Sequence, residues 1–398
     1  MEKELKNIPE LRFPEFIKLG DWEKTKIESI ISQESSTMAM NKLELLKEGF
    51  PVYGADGLIG YINDFQQEEE YISMVKDGSG VGKLNLCQEH SSILGTLTAL
   101  KSKDSKRYFL KWIYYLLNTL DFSSYVKGAG IPHIYYSDIK HKCIYIPSFS
   151  EQEKIADCLS SLDDYINATQ EKIEILQAHK KGLIQQLLPA LGKIMPQKRL
   201  PKFGKSKKWS PNSMEEMFEI RNGYTPSKSN PKFWENGTIP WFRMEDIREH
   251  GHILSDSIQH ITKEAVKGKG LFPANSIIVA TTATIGEHAL IIVDSLANQR
   301  FTFLTKRKSF DTQINMKYFY YYMYLIDEWC KQHTNAGGFA SVDMNGFKRL
   351  SVSLPSIEEQ KEIAECFTSI DDLIDSTKQK LVMLQKHKQG LIQQLFPK

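Results

Sequence analysis

The sequence predicts an α+β fold built as a pseudo-twofold tandem repeat: two β-rich domains with a few helices, joined by two long antiparallel coiled-coil helices. Three observations predict it. GLIQQLLP ends at Pro189 and GLIQQLFP ends at Pro397, and the echo runs back without a gap to Ile146 and Leu354, with about half the positions identical. Each copy carries an apolar heptad pattern. The residues ahead of each copy are instead broken into short apolar runs by Gly, Pro, Asn and Asp, as strands and turns are. A fainter echo links Phe16 and Trp22 to Phe203 and Trp209, and Gly130 and Lys140 to Gly338 and Lys348. Two copies of this size indicate duplication and not a solenoid.

Taken in order, the elements are a globular domain over 1–147, a repeated helix over 148–192, a linker over 193–208, a second globular domain over 209–355 and a second repeated helix over 356–398. GLIGYI, EYISMV and SSILGTLTAL read as strands of the first domain, with a helix near 108–120. NSIIVATTATIG and RFTFLT read as strands of the second, with a helix near 315–332. The linker has seven Lys or Arg and no acid. It reads equally as a solvated connector or as a strip that neutralises phosphates.

The seam of the first helix steps by four and three through Ile155, Leu159, Leu162, Ile166, Thr169, Ile173, Leu176, Lys180, Leu183 and Leu187. The second repeats it as Ile363, Phe367, Ile370, Ile374, Thr377, Leu381, Leu384, Lys388, Leu391 and Leu395. Acidic residues gather early and Lys and His late, which suits the helix dipole. At 1.5 Å rise per residue each helix is about 55 Å long. A single apolar seam must be covered, and the matching seam in the same chain is the natural partner. About 20 residues of linker, at 3.3–3.6 Å each, are too few to retrace such a helix and clear a domain, so the helices are expected to run antiparallel.

Packing between two helices does not require the polar residues that recur with the seam. Glu151, Gln152, Asp163, Asp164, Gln177, His179, Gln185 and Gln186 reappear as Glu359, Gln360, Asp371, Asp372, Gln385, His387, Gln393 and Gln394. The Glu-Gln and Gln-Gln pairs are expected to form a surface offered twice to a partner.

Composition excludes several classes. The chain has 398 residues, a formal charge of +2 and a quarter of its residues charged, as globular proteins do. There is no apolar run of membrane length and the N-terminus lacks a signal-peptide core, so a cytoplasmic protein without membrane contact is expected. Cys87, Cys143, Cys158, Cys330 and Cys366 show no CxxC pair, which fits free thiols and no metal site. HExxH, GxSxG, a complete dinucleotide fingerprint and the Asp/Asn-Pro-Pro-aromatic motif are all missing, so no catalytic residues are assigned. Residues 76–83 imitate a phosphate loop, but Asp77 stands where its first glycine belongs and Leu84 where its hydroxyl belongs, which excludes nucleotide binding.

Several loops combine cations, small polar residues and glycine, a chemistry suited to phosphates and base edges. Their candidates for contact with DNA are Lys76, Ser79, Lys83, Lys127 and His133 in the first domain. In the second they are Arg221, Asn222, Tyr224, Ser227, Lys228, Arg243, Gln299 and Arg300.

These residues resemble the specificity subunit of type I restriction–modification systems. The carriers are the doubled Pro-Ser-x-x-Glu-Gln-x-x-Ile-Ala-x-Cys-x-x-Ser-x-Asp-Asp blocks with their GLIQQL endings, PELRFPEF followed by Trp22, and GYTPSKSNPKFWENGTIPWFRMEDI with TTATIG. The resemblance implies two target-recognition domains, each reading one half of a bipartite asymmetric site in double-stranded DNA, with helices that set the gap. It implies a non-catalytic chain with no cofactor of its own, docked by two modification subunits that methylate adenine with S-adenosylmethionine. Restriction subunits would bring ATP, magnesium and cleavage. Rival readings are a DNA-binding adaptor or regulator without a methyltransferase partner, a diverged enzyme and a pure scaffold.

Overall fold

In each half of the chain, the strand that opens the globular domain pairs antiparallel with the strand that leads into the long helix. Glu23–Lys26 pairs with Cys143–Ile146, Glu23 opposite Ile146. Ser210–Ser213 pairs with Ser351–Leu354, Ser210 opposite Leu354. The computed structural model describes residues 8–128, 130–204, 209–335 and 340–397. Residues 1–7, Ala129, 205–208, 336–339 and Lys398 therefore lie outside the described residues, and with them Gly338 of the fainter echo and Lys205, Lys207 and Lys208 of the linker.

The compact units divide the chain differently from its linear segments. One comprises Met1–Gln170 with Gln379–Lys398, and the other Glu171–Lys378. Each is a globular domain with the first part of the helix that follows it and the last part of the other long helix. The two helices span Phe149–Leu187 and Ile357–Leu395, 39 residues each.

In the first unit a four-stranded sheet orders Ile31–Ser35, Leu97–Ser102, Tyr71–Val75 and Leu84–Cys87. Tyr71–Val75 is buried along its whole length, as its apolar run YISMV requires of an inner strand. A second sheet orders Gly57–Ile62, Phe50–Gly54 and Ser92–Ile93. Helix Leu110–Thr119 buries Trp112, Ile113 and Leu116 in one core with Trp22, Ile155, Leu159, Leu395 and Phe396. Trp22 meets Trp112 edge-on at 6.1 Å and Phe396 at 6.3 Å, so the ring equivalent to Trp209 ties domain to both helices.

The second unit is larger. Five strands order as Phe218–Asn222, Phe301–Lys306, Ser276–Ala280, His288–Ile291 and Ile253–Leu254. Three more order as His260–Ile261, Ile239–Phe242 and Leu296–Ala297. Helix Met316–Gln332 packs Tyr318, Phe319 and Tyr322 in a core with Trp209, Leu187, Ile363 and Phe367. Gly223 leaves the edge strand where a Cβ would lie 2.2 Å from the Ala297 carbonyl oxygen. Only a residue without a side chain permits that approach.

All twenty seam positions are buried or half-buried. Within the first unit Ile155 and Leu159 share a core with Leu391 and Leu395, and within the second Ile363 and Phe367 share one with Leu183 and Leu187. The start of one helix thus meets the end of the other, an antiparallel pairing. The two lysines of the seam have assigned partners: Lys180 bonds Asp371 at 2.6 Å and Lys388 bonds Asp163. Tyr321 and Tyr115 donate to the same two carboxylates at 2.8 and 2.7 Å. Asp163 and Asp371 are therefore part of the packing and do not face outward.

The expected partner surface needs the same correction at its first four members. Glu151, Gln152, Glu359 and Gln360 are 0–1% exposed. Arg12 forks onto Glu151 with both bonds at 2.8 Å, and Arg199 onto Glu359 at 2.7 and 2.6 Å. Gln152 accepts from Phe109 N–H and donates to the Arg107 and Pro147 carbonyls. Gln360 does likewise with Asn315, Gln313 and Pro355. A buried carboxylate demands such a guanidinium fork, and a buried amide demands full use of its bonds. Gln185, Gln393 and Gln394 remain exposed and Gln186 half-exposed.

The described part of the basic linker, 193–204, is tied into the second unit by bonds of the same kind. Arg199 belongs to the fork, Lys202 pairs with Glu362, and Lys198 N–H donates to the Gln186 carbonyl at 2.9 Å. Leu11 N–H makes the equivalent bond to Gln394, also at 2.9 Å. The five cysteines are free thiols.

Arg12→Ala leaves the Glu151 carboxylate buried without its countercharge and is expected to cost about 3–5 kcal/mol in urea unfolding of the full chain, with much of the loss recovered in Arg12→Leu/Glu151→Leu. Gly223→Ala forces backbone apart and is expected to lower stability by about 1–3 kcal/mol in the same measurement; an unchanged midpoint would contradict the packing described.

Candidate nucleic-acid interface

The first domain builds its candidate surface from two loops. Residues 76–83 link strand Tyr71–Val75 to strand Leu84–Cys87, and Gly82 N–H closes the turn on the Val75 carbonyl at 2.8 Å. A strand follows this loop, whereas a phosphate-binding loop opens a helix. In the second loop Lys127 and His133 exchange main-chain bonds of 2.9 and 2.8 Å. Gly78 N–H to Pro132 and Ile134 N–H to Lys76 join the two loops. Lys76, Ser79, Lys83, Lys127 and His133 are thereby gathered on one edge.

Two of those cations already hold carboxylates. Lys83 pairs with Asp56 at 2.9 Å and Lys127 with Asp138 at 2.6 Å. The Lys127 hydrogen bond holds the Asp138 carboxyl below its usual range. The Lys83–Asp56 pair is exposed and contributes little to stability, so a phosphate can replace that carboxylate at small cost, whereas Asp138 is largely covered and also accepts from Tyr135 N–H. The ring of Tyr135 lies 5.2 Å from that of His133.

The second domain draws its candidates together through main-chain pairing. Trp241 and Phe242 run parallel to Leu296 and Ala297. Gly223 N–H reaches the Phe301 carbonyl, Tyr224 N–H the Ala297 carbonyl, and Asn298 N–H the Phe242 carbonyl. Four segments apart in sequence, at 221–228, 241–243, 257–259 and 298–300, are thereby brought together. Among the described residues no hydrogen bond or ion pair engages the exposed Arg300 guanidinium. Gln299 accepts from Thr225 Oγ1 at 2.5 Å, and Ser227 bonds Ser229 at 2.9 Å.

Three candidates are already tied to neighbours within the domain. The Tyr224 hydroxyl donates to the Ala265 carbonyl and accepts from Lys267 N–H, so it is a strut between loops and not a free reader. Asn222 Oδ1 accepts from Thr302 at 2.8 Å. Arg221 lies over the Phe272 ring at 4.2 Å and beside Glu219 at 3.6 Å. Sequence reasoning overlooked Trp234 and Gln259. Lys228 Nζ sits 3.3 Å from the Trp234 ring centre, 4.6 Å from that of Trp241 and 2.9 Å from Gln259 Oε1. The aromatic residues interleaved in FWENGTIPWF were the available signal.

Among the described residues no cluster of three or more His, Cys, Asp or Glu could hold a metal ion, and no helix is long and apolar enough to cross a membrane. His252 instead bonds the His288 carbonyl at 2.8 Å.

Comparison with known proteins gives a consistent result. The EcoprrI type I restriction enzyme specificity subunit of Escherichia coli is 48% identical over 167 residues, 42% of this chain and 41% of the relative. A second Escherichia coli type I specificity subunit is 30% identical over 291 residues, 69% of this chain and 66% of that relative. The matched stretches thus span less than two thirds of both relatives. The crystal structure of a type I restriction-modification S subunit from M. genitalium shares the fold, with a TM-score of 0.62 over 98% of this chain and 99% of that one at 18% identity. The family model for the type I restriction modification DNA specificity domain matches twice, over residues 20–177 and 206–386. With both halves matched, each from its globular domain into its long helix, the chain belongs to the type I restriction modification DNA specificity domain family.

Proposed function

We propose that this chain is the non-catalytic DNA-reading subunit of a type I restriction–modification complex. Each globular domain reads one half of a bipartite, asymmetric duplex site. The observation that carries the reading is the pairing of two unlike domains, each with a donor-rich loop face, to one duplicated mount. A repeated mount suits the dyad of a DNA backbone, while different loops select different letters.

Two modification subunits dock on the repeated helices and methylate adenine. S-adenosylmethionine belongs to them, and ATP and magnesium to restriction subunits, so this chain needs no cofactor of its own. The exposed Gln185, Gln393 and Gln394, with Asp164, Gln177, His179, Asp372, Gln385 and His387, are the duplicated polar positions left for docking. A flipped adenine must enter the partner's pocket, so the bound duplex is distorted between the half-sites. The complex works in the cytoplasm.

Co-expression with the modification subunit, followed by single-molecule sequencing of the host's methylation, should return a split site with a fixed gap; a continuous palindrome would sink the model. Seven residues inserted after both Gln170 and Lys378 add roughly 10.5 Å of helix. The gap is expected to lengthen by about three base pairs at 3.4 Å per step, with the half-site letters unchanged.

A further inference from the structure

We propose that Lys228 and Gln259, positioned by the indoles of Trp234 and Trp241, form a donor-only reading head that specifies guanine in the half-site bound by the second domain. The inference rests on the DNA-reading function proposed above and deepens it to one base.

The two indoles stand edge-on, with centroids 5.0 Å apart at 87°. Neither ring is loose. Trp241 is buried and donates Nε1–H to the Tyr224 carbonyl at 3.0 Å, while Trp234 donates to the Ser227 carbonyl at 3.0 Å. Lys228 lies over both faces and donates one N–H to Gln259 Oε1. An ammonium only donates, so this bond turns the amide oxygen of Gln259 toward Lys228 and leaves its NH2 group facing away. The main chain of Gln259 is fixed as well, because its carbonyl accepts from Trp241 N–H at 3.0 Å and from the Ser257 hydroxyl at 2.5 Å.

What remains for a ligand is a set of donors: two N–H groups of Lys228, two of Gln259, and the guanidinium of Arg243, whose Cζ lies 5.9 Å from the Trp241 ring centre. Of the two carboxylates nearby, the buried one is fully engaged. Asp246 is buried and receives the main-chain N–H groups of Arg243 and Ile258, each at 2.6 Å. Glu245 lies 3.9 Å from Arg243 Nε, within reach of its positive charge.

In the major groove guanine presents two adjacent acceptors, N7 and O6. Adenine and cytosine present an amine donor there, and thymine a single acceptor beside a methyl group. A head whose own groups, the Lys228 ammonium, the Gln259 NH2 and the Arg243 guanidinium, can only donate matches guanine and sets N–H against N–H at adenine or cytosine. A lysine that only anchors phosphate works as a mobile, well-hydrated charge. Lys228 is held between rings, and burial together with the charge of Arg243 lowers its pKa. Fixed, partly desolvated donors are what discrimination between base edges requires.

The test is selection from a duplex library with randomised positions, using the complex of this full chain with its modification subunit. The wild type is expected to fix a guanine in one half-site. Lys228→Ala should reduce that preference about ten-fold or more at that single position, leaving the other half-site as an internal control. Trp234→Ala should relax the same position and Trp234→Phe should restore it, because the phenyl face keeps the cation–π contact. If Lys228→Ala weakens all sites equally, keeps every letter and lowers the salt dependence by about one phosphate, Lys228 is a backbone anchor and the proposal is overturned. A split site in which the variant relaxes a base other than guanine overturns it while the bipartite reading stands. A wild type that selects no split site overturns both.

Discussion

A carboxylate buried at the head of each long helix fixes everything else in its unit. Glu151 and Glu359 sit in the first turn of their helices, where negative charge is favoured by the dipole. Burial would forbid the charge without a partner, and the partner comes from the segment that opens the globular domain, through Arg12 or Arg199. The neighbouring glutamine then grips the main chain just ahead of the domain's own helix. One dipeptide therefore sets the angle at which a globular domain leaves its rod. The position of every loop on the recognition face follows from that angle.

Much of this was legible in the sequence, and the places where it was not have definite causes. The repeat and the seam could be read because heptads are local and their period is unambiguous. The Glu-Gln pairs were assigned to the surface because a polar residue conserved between copies fits two descriptions, outward toward a partner or inward toward a fixed bond. What decides between them is a residue about 140–160 positions away in the chain. Arg12 and Arg199 occupy matching places in ELRFPEF and QKRLPKF, and only the fold connects them to the carboxylates. Lys180 and Lys388 looked like gaps in an apolar seam, yet each finds the aspartate of the opposite copy.

The loop candidates were a harder case. Loop chemistry can be recognised residue by residue, but convergence depends on non-local pairing such as Trp241 beside Leu296. That pairing separates readers from struts, and it moved Tyr224 into the second class. The two domains also hold their cations by different physics. The first parks Lys83 and Lys127 on carboxylates, and salt and phosphate can displace the exposed Lys83–Asp56 pair. The second parks Lys228 on aromatic faces, whose attraction depends on exclusion of water more than on ionic strength.

The repeated collar has a consequence for how such a protein changes over generations. Trp22, Arg12 and the Glu23–Lys26 and Cys143–Ile146 pair recreate around the first domain what Trp209, Arg199 and the Ser210–Ser213 and Ser351–Leu354 pair make around the second. The joint to the rod is written in that collar and in the domain helix beside it, through Phe109 and Tyr115 in the first domain and Asn315 and Tyr321 in the second, so only what lies beyond those contacts can be exchanged without disturbing it. Inheritance can thus shuffle the vocabulary of the molecule while its grammar stays fixed.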